Sequence, residues 1–157
     1  MIMDCTLYTE LLPDTDEIIN KPNDRCPVDW ALTVADIARM NNCGKSVMCR
    51  DGMQQLYTII YDITTERGQP EDIELLTDIC EVIKTSRGCA LAARSSELIC
   101  RSLELYPGEW DVHIRRKRCA ASICYASPIP VRSAPEIGDG DNMTHGVTMQ
   151  RRKRKGM

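Results

Sequence analysis

Four segments with the periodicity of amphipathic α-helices follow one another between Pro27 and Gly108, and they constrain the fold more than any other feature of the sequence. In each segment apolar residues recur at three- and four-residue spacing, which places them on one helical face. They are Val28, Ala31, Leu32 and Ala35, then Met53, Leu56, Ile60 and Ile63, then Ile73, Leu76, Cys80 and Ile83, and finally Leu91, Leu98 and Leu103. Because only short turns join the segments, the sequence predicts an all-α fold built on a compact antiparallel four-helix bundle.

The sequence outside these segments predicts less regular structure. Residues 1–26 are interpreted as a loose lead-in, in which a short strand is one interpretation of apolar runs such as "EIIN". Residues 27–113 form the predicted bundle, whose fourth helix is expected to end at Pro107 and Gly108. Residues 114–126 are a candidate Cys/His metal segment. Residues 127–157 are rich in Pro, Gly, Ser and Asp and are predicted to be a disordered tail.

The charge distribution argues against a nucleic-acid partner. The net charge is −3, and without the five basic residues of "RRKRK" at 151–155 it would be −8. A nucleic-acid-binding domain carries its basic residues on a folded face, so this run is interpreted as a solvated tail. No apolar run is long enough to span a bilayer, and the acidic start "MIMDCTLYTE" does not match a secretory signal. We therefore expect no direct membrane insertion and a cytoplasmic location.

Nine cysteines need an explanation in a reducing compartment, where disulfides are rare. Their number is odd and their spacing is uneven, which also argues against a disulfide framework. Two explanations remain open for each of them. Some are expected to bind a metal or an iron–sulfur cluster, and others, such as Cys80, to serve as small buried apolar residues.

The loop "NNCGKSVMCRDG" between the first two predicted helices is the strongest candidate site. It contains Cys43 and Cys49, and Cys89 lies between the third and fourth helices. In an antiparallel bundle these two loops lie at the same end, so the three thiols should converge as an iron–sulfur cluster requires. Lys45 and Arg50 would either offset the negative charge of a thiolate-bound cluster or remain two solvated surface charges.

These residues resemble a known family. "CGKSVMCRDG" is similar to the C-G-K-C-x-P-C-R-E-G loop of the NADH-binding flavoprotein subunit of respiratory complex I and of its relatives in NAD-linked hydrogenases and formate dehydrogenases. "RGCALA" resembles the segment that supplies the last cluster ligand in that family. "DRCPVDWALTVADIARMNNCGK", with Cys26, resembles the family's approach to the loop. The resemblance extends from about Glu17 to Tyr125.

The resemblance implies a helical domain that holds a 4Fe-4S cluster and accepts single electrons from a flavin reduced by NADH. By position, Cys43, Cys49 and Cys89 would be ligands, and Ser46 stands where the family has its second cysteine. A serine hydroxyl is a much weaker acid and a harder ligand than a thiol. The site would therefore hold a 3Fe-4S cluster, a 4Fe-4S cluster with serinate or water on one iron, or no cluster.

A second group of potential ligands lies downstream. "HIRRKRCAASIC" contains His113, Cys119 and Cys124, and it is similar to a segment that follows the bundle in hydrogenase-type members of the family. These ligand types suit zinc, although a closed structural site would need a fourth. The alternative is a surface histidine and two solvent-facing thiols. His145, isolated in the tail, is expected to have no role in a site.

Two hypotheses about function follow. In the first, the chain is an electron-transfer module, an oxidoreductase component that docks on an FMN- and NADH-binding flavoprotein or a hydrogenase subunit. Its 157 residues contain no glycine-rich phosphate loop, so it is expected to lack its own flavin or NADH site. In the second, the chain is a cluster-free helical adaptor or assembly protein in which Ser46 marks a degenerate site.

Overall fold

The computed structural model describes residues 5–20, 24–86 and 88–124, and within these ranges the secondary structure is helical with no strand. A 3-10 helix at Cys5–Leu11 comes first. The α-helices are α1 (Thr15–Ile19), α2 (Pro27–Asn41), α3 (Met53–Thr64), α4 (Asp72–Thr85), α5 (Ala90–Leu105) and α6 (Pro107–Arg115), and a π-helical turn at Met48–Gly52 leads into α3. The predicted all-α class is confirmed.

The limits of α2 follow from local chemistry, and they determine where the candidate loop begins. Pro27 occupies the first turn, where its missing N–H costs nothing. At the other end, the side-chain amide of Asn41 donates to the Ile37 carbonyl, and that of Asn42 donates to the carbonyls of Ala38 and Arg39. The carbonyls of Ala38 and Arg39 have no backbone partner within the helix, so these bonds help to end α2 at Asn41, two residues before Cys43.

The apolar faces of the four predicted segments form the core. Helix α2 packs against α3 and α5, and α4 packs against α5 and α3, so the four helices contact one another in ring order. Ile18 of α1 and Trp110 of α6 also belong to this core, and its other large, almost completely buried side chains are Met53, Leu56, Ile60, Ile63, Leu76, Leu91, Leu98 and Ile99. Burying each large apolar side chain contributes about 1.5–3 kcal/mol. The ring of contacts is consistent with the expected bundle, whose antiparallel arrangement stays a prediction.

Two expectations about local structure were wrong. The run "EIIN" lies in α1 and its C-terminal cap, and the described part of the lead-in is helical rather than partly strand. The regular pattern also continues past Trp110, because Pro107 begins a further helix, α6, that reaches Arg115. Proline ends a preceding helix but suits the first turn of the next one, since its fixed φ is already helical.

The lead-in is held to the helices by polar contacts as well as by packing. The Tyr106 hydroxyl, at the end of α5, donates to the Ile18 carbonyl in α1 at 2.7 Å. The 3-10 helix packs against α5 and α2. This packing places the 3-10 helix beside elements that carry the candidate site.

The predicted tail at residues 127–157, with its basic run and His145, lies outside the described residues. In the ranges that are described, none of the helices is both long enough and apolar enough to cross a membrane.

Candidate metal centres

The three thiols of the predicted cluster site come together. Cys43 follows α2, Cys49 lies in the π-helical turn, and Cys89 is the N-cap residue of α5. The Cys49 thiol interacts with the thiols of both Cys43 and Cys89. π-Helical turns are frequent at functional sites. These interactions bring the loop after α2 beside the start of α5.

The surroundings of these thiols influence how readily they ionise. The backbone amide of Lys45 lowers the pKa of the Cys43 thiol, and the positive charge of Lys45 acts in the same direction. Burial raises the pKa of the Cys49 thiol, although the Gly44 amide opposes it, and burial likewise raises that of Cys89. Cys43 is therefore the thiol of the three that ionises most easily, while the other two need a positively charged partner such as iron.

Ser46 lies on the same loop and packs against Gly88. A Cβ atom added at Gly88 would stand only 3.1 Å from Ser46 Oγ and 3.3 Å from the carbonyl oxygen of Ser86. The loop that carries Cys43, Ser46 and Cys49 is called the cluster loop below. The absence of a side chain at Gly88 lets this loop approach the turn that leads to Cys89. Ser46 consequently lies close in space to the last predicted ligand.

The two flanking cations differ in their surroundings. Lys45 is exposed, and its charge acts on the thiol of Cys43. The Arg50 guanidinium forms an exposed ion pair with Asp51 at 3.0 Å. A supporting role for Lys45 or Arg50 toward a cluster stays a prediction.

A fourth thiol, which the sequence did not indicate, reaches this group. Cys5 lies in the 3-10 helix with 8% of its surface exposed. Its thiol interacts with those of Cys43 and Cys89 and with the backbone amide of Cys43, and burial raises the pKa of Cys5 to about 11. Cys5 belongs to none of the helical segments, so neither periodicity nor local spacing could have identified it.

A second centre combines the downstream trio with Cys26. One ligand atom each from Cys26, His113, Cys119 and Cys124 lies within 4.8 Å of all the others. Cys26 Sγ is 3.3 Å from His113 Nε2, and the Cys124 thiol donates to Cys26 Sγ at 3.6 Å. Donor atoms around one tetrahedral zinc stand about 3.3–3.8 Å apart, given bonds of about 2.0–2.3 Å. Three cysteines and one histidine supply the closed ligand set that the trio lacked.

The structure also shows how His113 is oriented. Its side chain is completely buried, and Nδ1 lies 2.7 Å from the Glu109 carbonyl oxygen. A carbonyl only accepts hydrogen bonds, so Nδ1 carries a proton and donates it. Nε2 then faces the cysteines, as in histidine ligands held by a backbone carbonyl. The alternative of a surface histidine with solvent-facing thiols was wrong for His113 and Cys124, both of which are buried.

The electrostatics of this centre favour an ionised sulfur. The hydrogen bond from Cys124 lowers the pKa of Cys26 to about 4, with His113 acting in the same direction against burial. Burial opposes a charge on His113, but the adjacent Cys26 outweighs it and raises the pKa of the imidazole to about 9. The hydrogen bond to Cys26 raises the pKa of Cys124. A thiolate is the form of cysteine that binds metals.

Comparison with known proteins identifies the region that carries the first centre. A family model described as the NADH-ubiquinone oxidoreductase-F iron–sulfur binding region matches residues 29–113, more than half of the chain. The chain belongs to this family. The match includes Cys43, Cys49 and Cys89, so the predicted resemblance is confirmed and a 4Fe-4S cofactor is supported. Cys5 and Cys26 lie outside the matched residues.

The relatives are larger proteins. The NADP-reducing hydrogenase subunit HndC of Solidesulfovibrio fructosivorans is 31% identical over 103 residues, covering 66% of this chain and 21% of that protein. The F subunit of the NADH-quinone oxidoreductase of Streptomyces coelicolor is 33% identical over 78 residues, covering 50% of this chain and 17% of that protein. An F subunit of the NADH-quinone oxidoreductase of Rhizobium meliloti is 27% identical over 94 residues, covering 60% of this chain and 22% of that protein. The chain thus spans about a fifth of the length of these relatives.

Proposed function

We propose that this chain is an electron-transfer module that binds a 4Fe-4S cluster through Cys43, Cys49 and Cys89. The observation that carries the proposal is the convergence of these three thiols, from two separate loops, inside the matched iron–sulfur region. Thiolate sulfur is the ligand that iron–sulfur clusters use. A bound cluster would supply one-electron oxidation and reduction.

The residues around the proposed cluster suit electron transfer in two ways. Cys49 is completely buried, whereas Cys43 and Cys89 are partly exposed. Electrons could therefore enter and leave from the surface near these two residues. The Lys45 and Gly44 amides point toward sulfur atoms and stabilise negative charge there.

The proposed partner is a subunit of an NADH dehydrogenase- or hydrogenase-type complex, such as a flavoprotein. This part of the proposal rests on the relatives, which are named as subunits of a hydrogenase and of NADH-quinone oxidoreductases. A cluster-free adaptor is less consistent with the structure, since packing alone does not require the Cys49 thiol to interact with both Cys43 and Cys89.

The iron content of the chain tests the cluster. Protein purified anaerobically, or reconstituted with iron and sulfide, should be brown and contain near-stoichiometric iron and acid-labile sulfide. Cys49→Ser should lower the iron content because it removes a thiolate donor. Cys80→Ser is the matched control, since Cys80 is also completely buried but contacts Cys100 rather than the cluster loop. Colourless wild-type protein after reconstitution would contradict the proposal.

We infer a structural zinc site at Cys26, His113, Cys119 and Cys124 as a second property of the chain. It rests on four donor atoms that lie within 4.8 Å of one another, three of them on buried residues. Such a site would join the N-terminus of α2 to α6 and to the turns that follow α6. Tetrahedral sites with four protein ligands stabilise folds rather than perform chemistry.

A further inference from the structure

Cys5 lies next to the thiols of the predicted cluster site, and the burial of a small apolar side chain does not require that position. It is the first described residue of the 3-10 helix, which packs against α5, and Cys89 caps the N-terminus of that same helix. Its side chain is part of the buried core, and Cys43 and Cys89 pack against that core. The Cys5 thiol interacts with the thiols of Cys43 and Cys89, and the Cys49 thiol interacts with the same two.

The matched ligand set is incomplete without another donor. The position that carries a cysteine in the family loop is Ser46, whose hydroxyl is too weak an acid and too hard a ligand to replace a thiolate on iron. A cluster with four irons takes one protein ligand on each, so three thiols leave one iron without sulfur from the protein.

We propose that Cys5 supplies the fourth thiolate ligand of the cluster and replaces the cysteine missing at position 46. This inference rests on the proposed function. Cys5, Cys43, Cys49 and Cys89 would then form a four-thiolate set in which the N-terminal 3-10 helix completes a site otherwise built by two loops. On binding iron, the Cys5 thiol gives up its proton to solvent, so no redox partner is needed. Ser46 would remain a packing residue against Gly88.

The variants Cys5→Ser, Ser46→Cys and the double variant, made in the full chain and reconstituted anaerobically, test this proposal. Iron and sulfide are measured for each, together with paramagnetic resonance before and after reduction. An oxidised three-iron cluster is paramagnetic, whereas an oxidised four-iron cluster becomes paramagnetic only after it gains one electron. Cys100→Ser is the matched control, because Cys100 is also 8% exposed but lies beside Cys80.

The wild type and Cys100→Ser should hold about four irons, whereas Cys5→Ser should fall to about three and show the resonance of an oxidised three-iron cluster. The double variant should regain the fourth iron, since a thiol returns at position 46. That recovery would show that Cys5→Ser loses iron through a lost ligand and not through misfolding.

Two results would overturn the proposal while leaving the cluster in place. One is a four-iron cluster in Cys5→Ser, and the other is a three-iron cluster in the wild type that only Ser46→Cys converts to four. Wild-type protein that binds no iron at all would instead contradict the proposed function itself.

Discussion

At the scale of single residues, Gly68 shows how one missing side chain lets a turn fold back onto the end of the preceding helix, α3. It lies in the turn between α3 and α4, and a Cβ atom there would stand 2.8 Å from Ile63 Cγ1 and 3.0 Å from Ile63 Cα. The second contact involves backbone and cannot be relieved by a rotamer change. The Gly68 carbonyl also accepts a hydrogen bond from the Lys117 ammonium group. This turn therefore joins α3 to the segment after α6.

We expect Gly68→Ala to lower the free energy of unfolding by about 1–3 kcal/mol, because the added methyl group overpacks against Ile63. Gly108→Ala is the control, since a Cβ there meets no atom within 4 Å and position 108 is helical. It should leave stability unchanged or raise it by about 0.5–1 kcal/mol. Urea denaturation measures both. Equal stability of the two variants would show that the turn can shift to accept a methyl group.

At the scale of elements, Ser102 links three helices through one hydroxyl group. From α5 it donates to the Pro27 carbonyl in α2 at 3.0 Å and accepts from Trp110 Nε1 in α6 at 3.3 Å. Ser102 is completely buried and Trp110 almost so. Without Ser102, the indole N–H of Trp110 would be a buried donor with no acceptor. This contact holds the start of α2, and with it Cys26, in a set position relative to α6 and His113.

Ser102→Ala should lower the free energy of unfolding by about 1–3 kcal/mol, because it leaves the buried Trp110 Nε1–H without an acceptor and removes the bond to the Pro27 carbonyl. Ser95→Ala serves as the control. Ser95 is equally buried on the same helix, but its hydroxyl donates to Leu91 within α5 and joins no other element. Chemical denaturation should give the smaller loss for Ser95→Ala. Equal losses would mean that the link between helices adds nothing beyond the burial of a hydroxyl.

At the scale of the whole molecule, the two candidate centres use different cysteines and different elements. The cluster loop involves the junction between α2 and α3 and the start of α5. The Cys26 centre involves the opposite end of α2, α6 and the turns after α6. The remaining two thiols, Cys80 and Cys100, are buried between α4 and α5. Loss of zinc should therefore leave the iron–sulfur cluster in place, and loss of the cluster should leave the zinc.

We expect Cys119→Ser to lower the zinc content while the iron content stays at the wild-type value. Removing a structural zinc that contributes ~2 kcal/mol or more should lower the melting temperature by roughly 5–10 °C. Elemental analysis and thermal unfolding followed by circular dichroism measure the two effects. Cys100→Ser should leave both metals unchanged. Zinc retained in Cys119→Ser, or an unchanged melting temperature after zinc removal, would contradict a structural role for this centre.

Local patterns were sufficient to predict helices α2 to α5 and the cluster loop. The three- and four-residue spacing of apolar side chains predicted α2 to α5, since that spacing is itself the geometry of a helix face. Cys43, Cys49 and Cys89 could be chosen because they lie in turns next to those helices. The hypothesis of a zinc site likewise began with His113, Cys119 and Cys124, which are close in sequence.

What the sequence by itself determined was the helical class and the candidate ligands that are neighbours along the chain or flank predictable helices. Only the tertiary structure decided which distant thiols join them. Cys5 reaches Cys43 and Cys89 because its 3-10 helix packs on α5, and Cys26 reaches His113 because α2 packs against α6. A ligand needs only a position in space, and packing between elements sets that position without leaving a periodic or local signal in the sequence.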